Sequence, residues 1–130
     1  MLKIEHLAIW VRDLEKSRNF YENYFGLTSG EKYVNPKKQF SSYFLSFHGQ
    51  STRLEIMHKP DIAEPSNDRS TSFGLTHFAV SVGSEEKVDQ LTSLLQADGY
   101  VVVGQPRTTG DGYYESVVQD PDGNHVEITV

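Results

Sequence analysis

Apolar and polar residues alternate along short runs of this chain and recur at helical spacing between them. In residues 6–11, Leu7, Ile9 and Val11 interleave with His6, Ala8 and Trp10. Residues 77–82 repeat the arrangement, with Phe78, Val80 and Val82 set against His77, Ala79 and Ser81. A period of two marks strands with one covered and one open face. After each of these strands the spacing turns helical. Asp13 is a candidate N-cap, Leu14, Ser17, Phe20, Tyr21, Tyr24 and Phe25 follow on one stripe, and Gly26 is placed to end the helix. In the second copy Ser84 caps, Glu85 and Glu86 suit the first turn, Val88, Leu91, Leu94 and Leu95 form the stripe, and Gly99 closes it.

Three strand-like runs follow each helix, near 28–33, 40–48 and 52–58, then near 100–104, 113–119 and 124–130. Gly49-Gln50-Ser51 and Asp120-Pro121-Asp122-Gly123 supply hairpin turns. Residues 105–112 read as a loop that could cover a ligand, and Tyr113-Tyr114 after Gly110-Asp111-Gly112 as turn plus strand. Residues 59–73, with Pro60 and Pro65 among polar neighbours, read as a linker. The order is therefore βαβββ, linker, βαβββ. This predicts an α+β fold, one domain over 1–130 built from modules 1–58 and 74–130. Each module is a sheet of four strands with one helix on one face, and the two curl into a cupped, barrel-like mixed sheet. Half a domain of this size is marginal alone, so the halves, or two chains, must pack together.

Composition narrows the function. A length of 130 residues suits one domain with a real core. The net charge of −6 comes with no basic stripe, which argues against nucleic acid as a partner. Without cysteine there is no disulfide, no thiolate metal ligand and no cysteine nucleophile. That suits the cytoplasm. The apolar run Leu7–Val11 is too short for a leader and lies between Glu5 and Arg12, and nothing approaches a membrane span.

The repeat also carries chemistry. His6 recurs as His77, 71 positions on, and Leu54-Glu55-Ile56 recurs as Val126-Glu127-Ile128, with Glu127 72 positions after Glu55. Alternation puts Leu54 and Ile56 on one face and Arg53, Glu55 and Met57 on the other. It likewise sets Val126, Ile128 and Val130 against His125, Glu127 and Thr129. All four of His6, Glu55, His77 and Glu127 thus fall on the helix-free face of their sheet. A single histidine on a strand is more often an ordinary hydrogen-bonded residue than a ligand, and a single glutamate more often faces solvent. Repeat-related positions on a common face shift the balance towards a metal site. Two neutral imidazoles and two carboxylates suit one divalent ion such as Zn, Ni, Co, Mn or Fe(II). The metal would act as a Lewis acid while a carboxylate moves a proton. The competing reading is a duplicated fold whose metal site has been lost. His48, His58 and His125 read as surface or turn-flanking residues, although His125 shares a face with Glu127. Arg53 and Trp10 could contact a substrate, with cross-strand packing as the alternative.

The run from His6 to Tyr21, then Phe25-Gly26-Leu27, resembles the opening of vicinal oxygen chelate proteins, and Asp120-Pro121-Asp122-Gly123-Asn124-His125-Val126-Glu127-Ile128 resembles their closing signature. That superfamily holds glyoxalase I, bleomycin-resistance proteins, fosfomycin-resistance enzymes, extradiol dioxygenases and methylmalonyl-CoA epimerase. The resemblance spans essentially the whole chain. It implies paired βαβββ modules and a homodimer acting on a small molecule. It also implies metal ligands at His6, Glu55, His77 and Glu127, with Glu127 as the proton carrier and Glu55 as its partner. The implied reaction is the glyoxalase I isomerisation of a thiol–2-oxoaldehyde hemithioacetal to a 2-hydroxyacyl thioester. Alternatives within the resemblance are an epimerase, a thiol or drug transferase, and a metal-free drug-binding protein.

Overall fold

The computed structural model describes all 130 residues. The chain divides into two compact units, Met1–Glu64 and Pro65–Val130. No helix is long and apolar enough to cross a membrane.

The first unit contains β1 (His6–Trp10), α1 (Leu14–Phe25), β2 (Thr28–Ser29), β3 (Tyr33–Asn35), β4 (Phe40–Ser46) and β5 (Arg53–His58). Its sheet runs β1-β5-β4-β2, and β3 also pairs with β4. β1 and β5 are parallel and the other pairings antiparallel. The second unit contains β6 (His77–Ser81), α2 (Glu85–Ala97), β7 (Val102–Thr108), β8 (Tyr114–Gln119) and β9 (His125–Thr129). Its order is β6-β9-β8-β7, with β6 parallel to β9. Both sheets are mixed and open; neither closes on itself.

The expected caps form. Asp13 accepts from the Lys16 amide at 3.0 Å and Ser84 from the Lys87 amide at 3.2 Å. Gly26 and Gly99 take the left-handed conformation (φ 69° and 92°). There the Leu27 and Tyr100 amides reach back to the Tyr21 and Leu95 carbonyls. Leu14, Ser17, Phe20 and Tyr21 are buried beneath α1, against Leu54 and Ile56 of β5 and Tyr43 and Leu45 of β4. Val88 and Leu95 are buried beneath α2, with Val118, Val126 and Ile128.

Several expectations are corrected. The first strand starts at His6 and ends at Trp10, and the run near 28–33 divides into β2 and β3. Residues 105–108 belong to β7 rather than to a loop. β7 is an edge strand, and its pairing with β8 slips twice, around Gly104 and before Arg107. Glycine and proline there punctuate an edge with bulges, not a loop. Leu94 is exposed and Thr92 takes its place inside. The buried threonine is satisfied because its hydroxyl donates to the Val88 carbonyl at 2.6 Å and lies 2.6 Å from the Ser116 hydroxyl. Within 59–73, Arg69–Thr71 form a 3-10 turn capped by Asp68.

Candidate metal centre

The ladder registers build the site. In the first unit His6 stands opposite Arg53, and Ala8 opposite Glu55. In the second, His77 stands opposite His125, and Ala79 opposite Glu127. Each histidine therefore reaches diagonally to a glutamate, past an alanine that leaves the space between them open. His6 Nε2 lies 3.6 Å from Glu55 Oε1, and His77 Nε2 lies 3.0 Å from Glu127 Oε2. The glutamate side chains are 15% exposed in both units, against 39% and 43% for the two histidines. The carboxylates are thus set into the sheet face, and the imidazoles lean over them from the more open strand. No group of three or more His, Asp or Glu side chains stands close enough to hold a metal by itself; each unit offers a pair.

The two pairs have different surroundings. His6 Nδ1 contacts the Glu5 carboxylate, which also takes the Arg53 guanidinium. The His6 hydrogen bond and Arg53 hold the Glu5 carboxyl below its ordinary range. In the second unit burial pushes Glu127 up, a hydrogen bond with Glu115 pushes it further, and His77 and Arg107 act against both. Arg107 is aimed here by the slips in β7. They place it opposite Glu115, whose backbone carbonyl accepts from Arg107 Nη1 at 3.0 Å.

The other histidines differ in their surroundings. His48 is exposed, as its turn-flanking position predicts. His58 is half-buried, and its Nδ1 lies 2.9 Å from the Val11 carbonyl, tying β5 to the end of β1. His125 is buried, not a surface residue. The reason lies in the turn before it. Asp120 accepts from the Asp122 amide at 2.9 Å and from the Asn124 amide and side chain at 2.8 Å each, while Arg69 donates to Asn124 Oδ1. This carboxylate-centred turn, with the 3-10 segment tied to it, covers the start of β9 and sets where Glu127 falls. The Asp-Pro-Asp-Gly-Asn spacing carried that signal. Trp10 is 38% exposed on the helix-free face, edge-on to Phe40 at 6.1 Å and with Lys59 over its ring.

A family profile described as the Glyoxalase/Bleomycin resistance protein/Dioxygenase superfamily matches residues 3–128. A lactoylglutathione lyase of Arabidopsis thaliana is 30% identical over 124 residues, covering 95% of this chain and 42% of that protein. The chain thus spans less than half the length of this plant relative. A probable trivalent organoarsenical cleaving enzyme of Bacillus subtilis is 28% identical over 132 residues, covering 98% of this chain and 79% of that one. The crystal structure of a glyoxalase family protein from Enterococcus faecalis superposes with a TM-score of 0.78 at 26% identity, covering 98% of this chain and 97% of the other.

Proposed function

This chain belongs to the glyoxalase/bleomycin resistance protein/dioxygenase superfamily, and from that footing we propose that it is a metal-dependent lyase of the glyoxalase I kind. It would isomerise a thiol–2-oxoaldehyde hemithioacetal to a 2-hydroxyacyl thioester in the cytoplasm. The observation that carries this reading is the diagonal His–Glu pair, made once in each unit at the same register. The plant relative's name, lactoylglutathione lyase, supports it.

The pairs fit a metal. Two ligand atoms, each about 2.1 Å from one ion and set at a right to tetrahedral angle, stand about 3.0–3.4 Å apart. The 3.0 Å separation in the second unit falls within that spacing, and the 3.6 Å separation in the first lies just beyond it. Imidazole and carboxylate suit Zn, Ni, Co, Mn or Fe(II). The residues that would hold such an ion are His6 and Glu55 in one unit and His77 and Glu127 in the other, and it would supply Lewis acidity to the substrate. The rest falls to the chain. Glu127 takes the proton from the carbon bearing the thiol and returns it to the neighbouring carbonyl carbon, while the hydroxyl proton passes from one oxygen to the other. Substrate and product are isomers, so no oxidant or second substrate is needed. A carboxyl raised by burial and by Glu115 suits this work, because it must accept a proton and release it again. Glu55 is its partner carboxylate, and a second carboxylate in the ligand set favours proton transfer over oxygen chemistry. We take the working assembly to be a homodimer, which sedimentation equilibrium tests as twice the 14.7 kDa chain.

The test is metal content of untagged protein by mass spectrometry, beside a His77→Ala, Glu127→Ala variant, followed by thioester formation from hemithioacetals of several thiols. Stoichiometric metal that the variant loses, with thioester formed, is the expected result. Glu127→Gln should lower turnover roughly 10²- to 10⁴-fold. Metal without thioester, but with solvent deuterium entering a 2-methyl acyl thioester, would replace the lyase by an epimerase. Failure to take up any of the five metals would leave a binding module.

A further inference from the structure

Contacts outside the ligand pairs make the two units unequal. In the first unit they close a circuit around His6. Its Nδ1 contacts Glu5. Glu5 takes the Arg53 guanidinium on its other carboxylate oxygen and the Arg53 amide, at 3.0 Å, on its carbonyl. The same guanidinium lies 4.0 Å from the centre of the Phe44 ring. Phe44 meets the His6 ring edge-on, at 5.3 Å and 87°. The registers make this circuit possible, since Arg53 is opposite His6 and Phe44 opposite Glu55.

The matching positions of the second unit cannot form it. Thr76 precedes His77, His125 is opposite His77, and Val117 is opposite Glu127. A hydroxyl replaces the carboxylate, an imidazole the guanidinium, and an isopropyl group the ring.

An ionised carboxylate only accepts hydrogen bonds, so the His6 nitrogen facing Glu5 must carry the proton. That leaves Nε2 with its lone pair, on the side where Glu55 stands. A carboxylate on the far nitrogen fixes ring orientation and makes the imidazole a stronger donor. The guanidinium, pinned on Phe44, holds that carboxylate in turn.

We propose that Glu5, held by Arg53 and Phe44, is a positioning residue that locks His6 with its proton on Nδ1 and its Nε2 turned to the metal. This role for Glu5 rests on the metal-dependent reading above.

The test has two readouts on the full-length protein. Nitrogen-15 NMR of the imidazole rings, on metal-free protein above neutral pH, reports which nitrogen of His6 is protonated. Competition with a chromophoric chelator for Zn or Co reports affinity. Wild type should show His6 protonated at Nδ1, opposite to the form that predominates in free histidine. Glu5→Ala should return His6 to the free-histidine form and weaken metal uptake about 10- to 100-fold. Glu5→Gln, whose amide oxygen still accepts from Nδ1, should keep the tautomer and lose less affinity. Thr76→Ala should change neither. Glu5 is half exposed, so these variants should fold, and thermal unfolding checks it. A wild-type His6 protonated at Nε2, or a Glu5→Ala protein with undiminished uptake, overturns the proposal and leaves the lyase reading standing. A wild type that binds no metal overturns both.

Discussion

Glu127 has Glu115 as its carboxyl neighbour on the open face of the second sheet, and that neighbour helps to raise it. The β8–β9 register sets it up: Val117 is opposite Glu127, and Glu115 is opposite Thr129, so the two carboxyls are diagonal neighbours. Two carboxyls in contact cannot both ionise freely. Glu115 therefore adds to burial in raising Glu127, the group assigned to move protons.

The first prediction follows from the direction of that shift. Burial, then Glu115, raises Glu127 in the folded chain above its ordinary value of 4.5. A raised carboxyl stabilises the fold below the ordinary pKa, and that contribution is lost as pH rises through the folded value. Glu115→Gln removes the neighbouring negative charge and offers an amide donor to the Glu127 carboxylate. Carbon-13 titration of metal-free protein should then show the Glu127 step at lower pH than in wild type. Urea midpoints should decline less as pH rises past that step. An unmoved step would mean that Glu115 does not govern Glu127. Because the two carboxyls interact, the wild-type steps belong to the pair.

Much of this site is legible in the sequence. The 71-residue echo of His6 in His77 and the alternation around Glu55 and Glu127 place all four side chains on helix-free faces, and the ladders agree. Asp13, Gly26, Ser84 and Gly99 mark both helices because capping chemistry is local. What escapes a sequence reading depends on tertiary contacts. Thr92 looks like an unremarkable helix residue until Ser116 supplies its partner. His125 is hidden by a turn whose carboxylate gathers three donors. Arg107 is lost in an apparent loop, since β-bulges at an edge strand carry no period-two signature. The Glu5 clamp needs Arg53, 48 residues away, and no spacing rule joins them.

A second prediction concerns the Asp120 turn. The carboxylate is buried and accepts from two amides and a side chain. Asp120→Ala strands these donors and should cost about 2–4 kcal/mol in urea unfolding. Because the turn leads into β9, exchange protection of the Glu127 amide should also fall. A loss below about 0.5 kcal/mol, the size of a bland surface change, would contradict this role.

A third prediction tests the buried hydroxyl pair beneath α2. Thr92→Val leaves the Ser116 hydroxyl without its partner and should cost about 1–3 kcal/mol. Adding Ser116→Ala removes the stranded group. The double variant should be no less stable than Thr92→Val alone, so the cycle yields a favourable coupling of about 0.5–1.5 kcal/mol in wild type. Additive losses would show that the 2.6 Å contact contributes nothing of its own.

The last prediction separates the site from the scaffold. Ala79 stands opposite Glu127 and two residues after His77, so its methyl group lies beneath the gap between Nε2 and the carboxylate. Ala8 holds the same place between His6 and Glu55. Valine is a better strand residue than alanine, and both positions are exposed, so Ala8→Val and Ala79→Val should leave the unfolding midpoint unchanged or slightly raised. The branched side chain nevertheless intrudes on the space where an ion would meet both ligands. Metal uptake should therefore fall in each variant while circular dichroism and melting stay like wild type. Ser81→Val, two residues beyond Ala79 on the same exposed face, is the control and should fold equally well and keep its metal. Equal uptake in all three variants would place the ion elsewhere than between the paired His and Glu side chains.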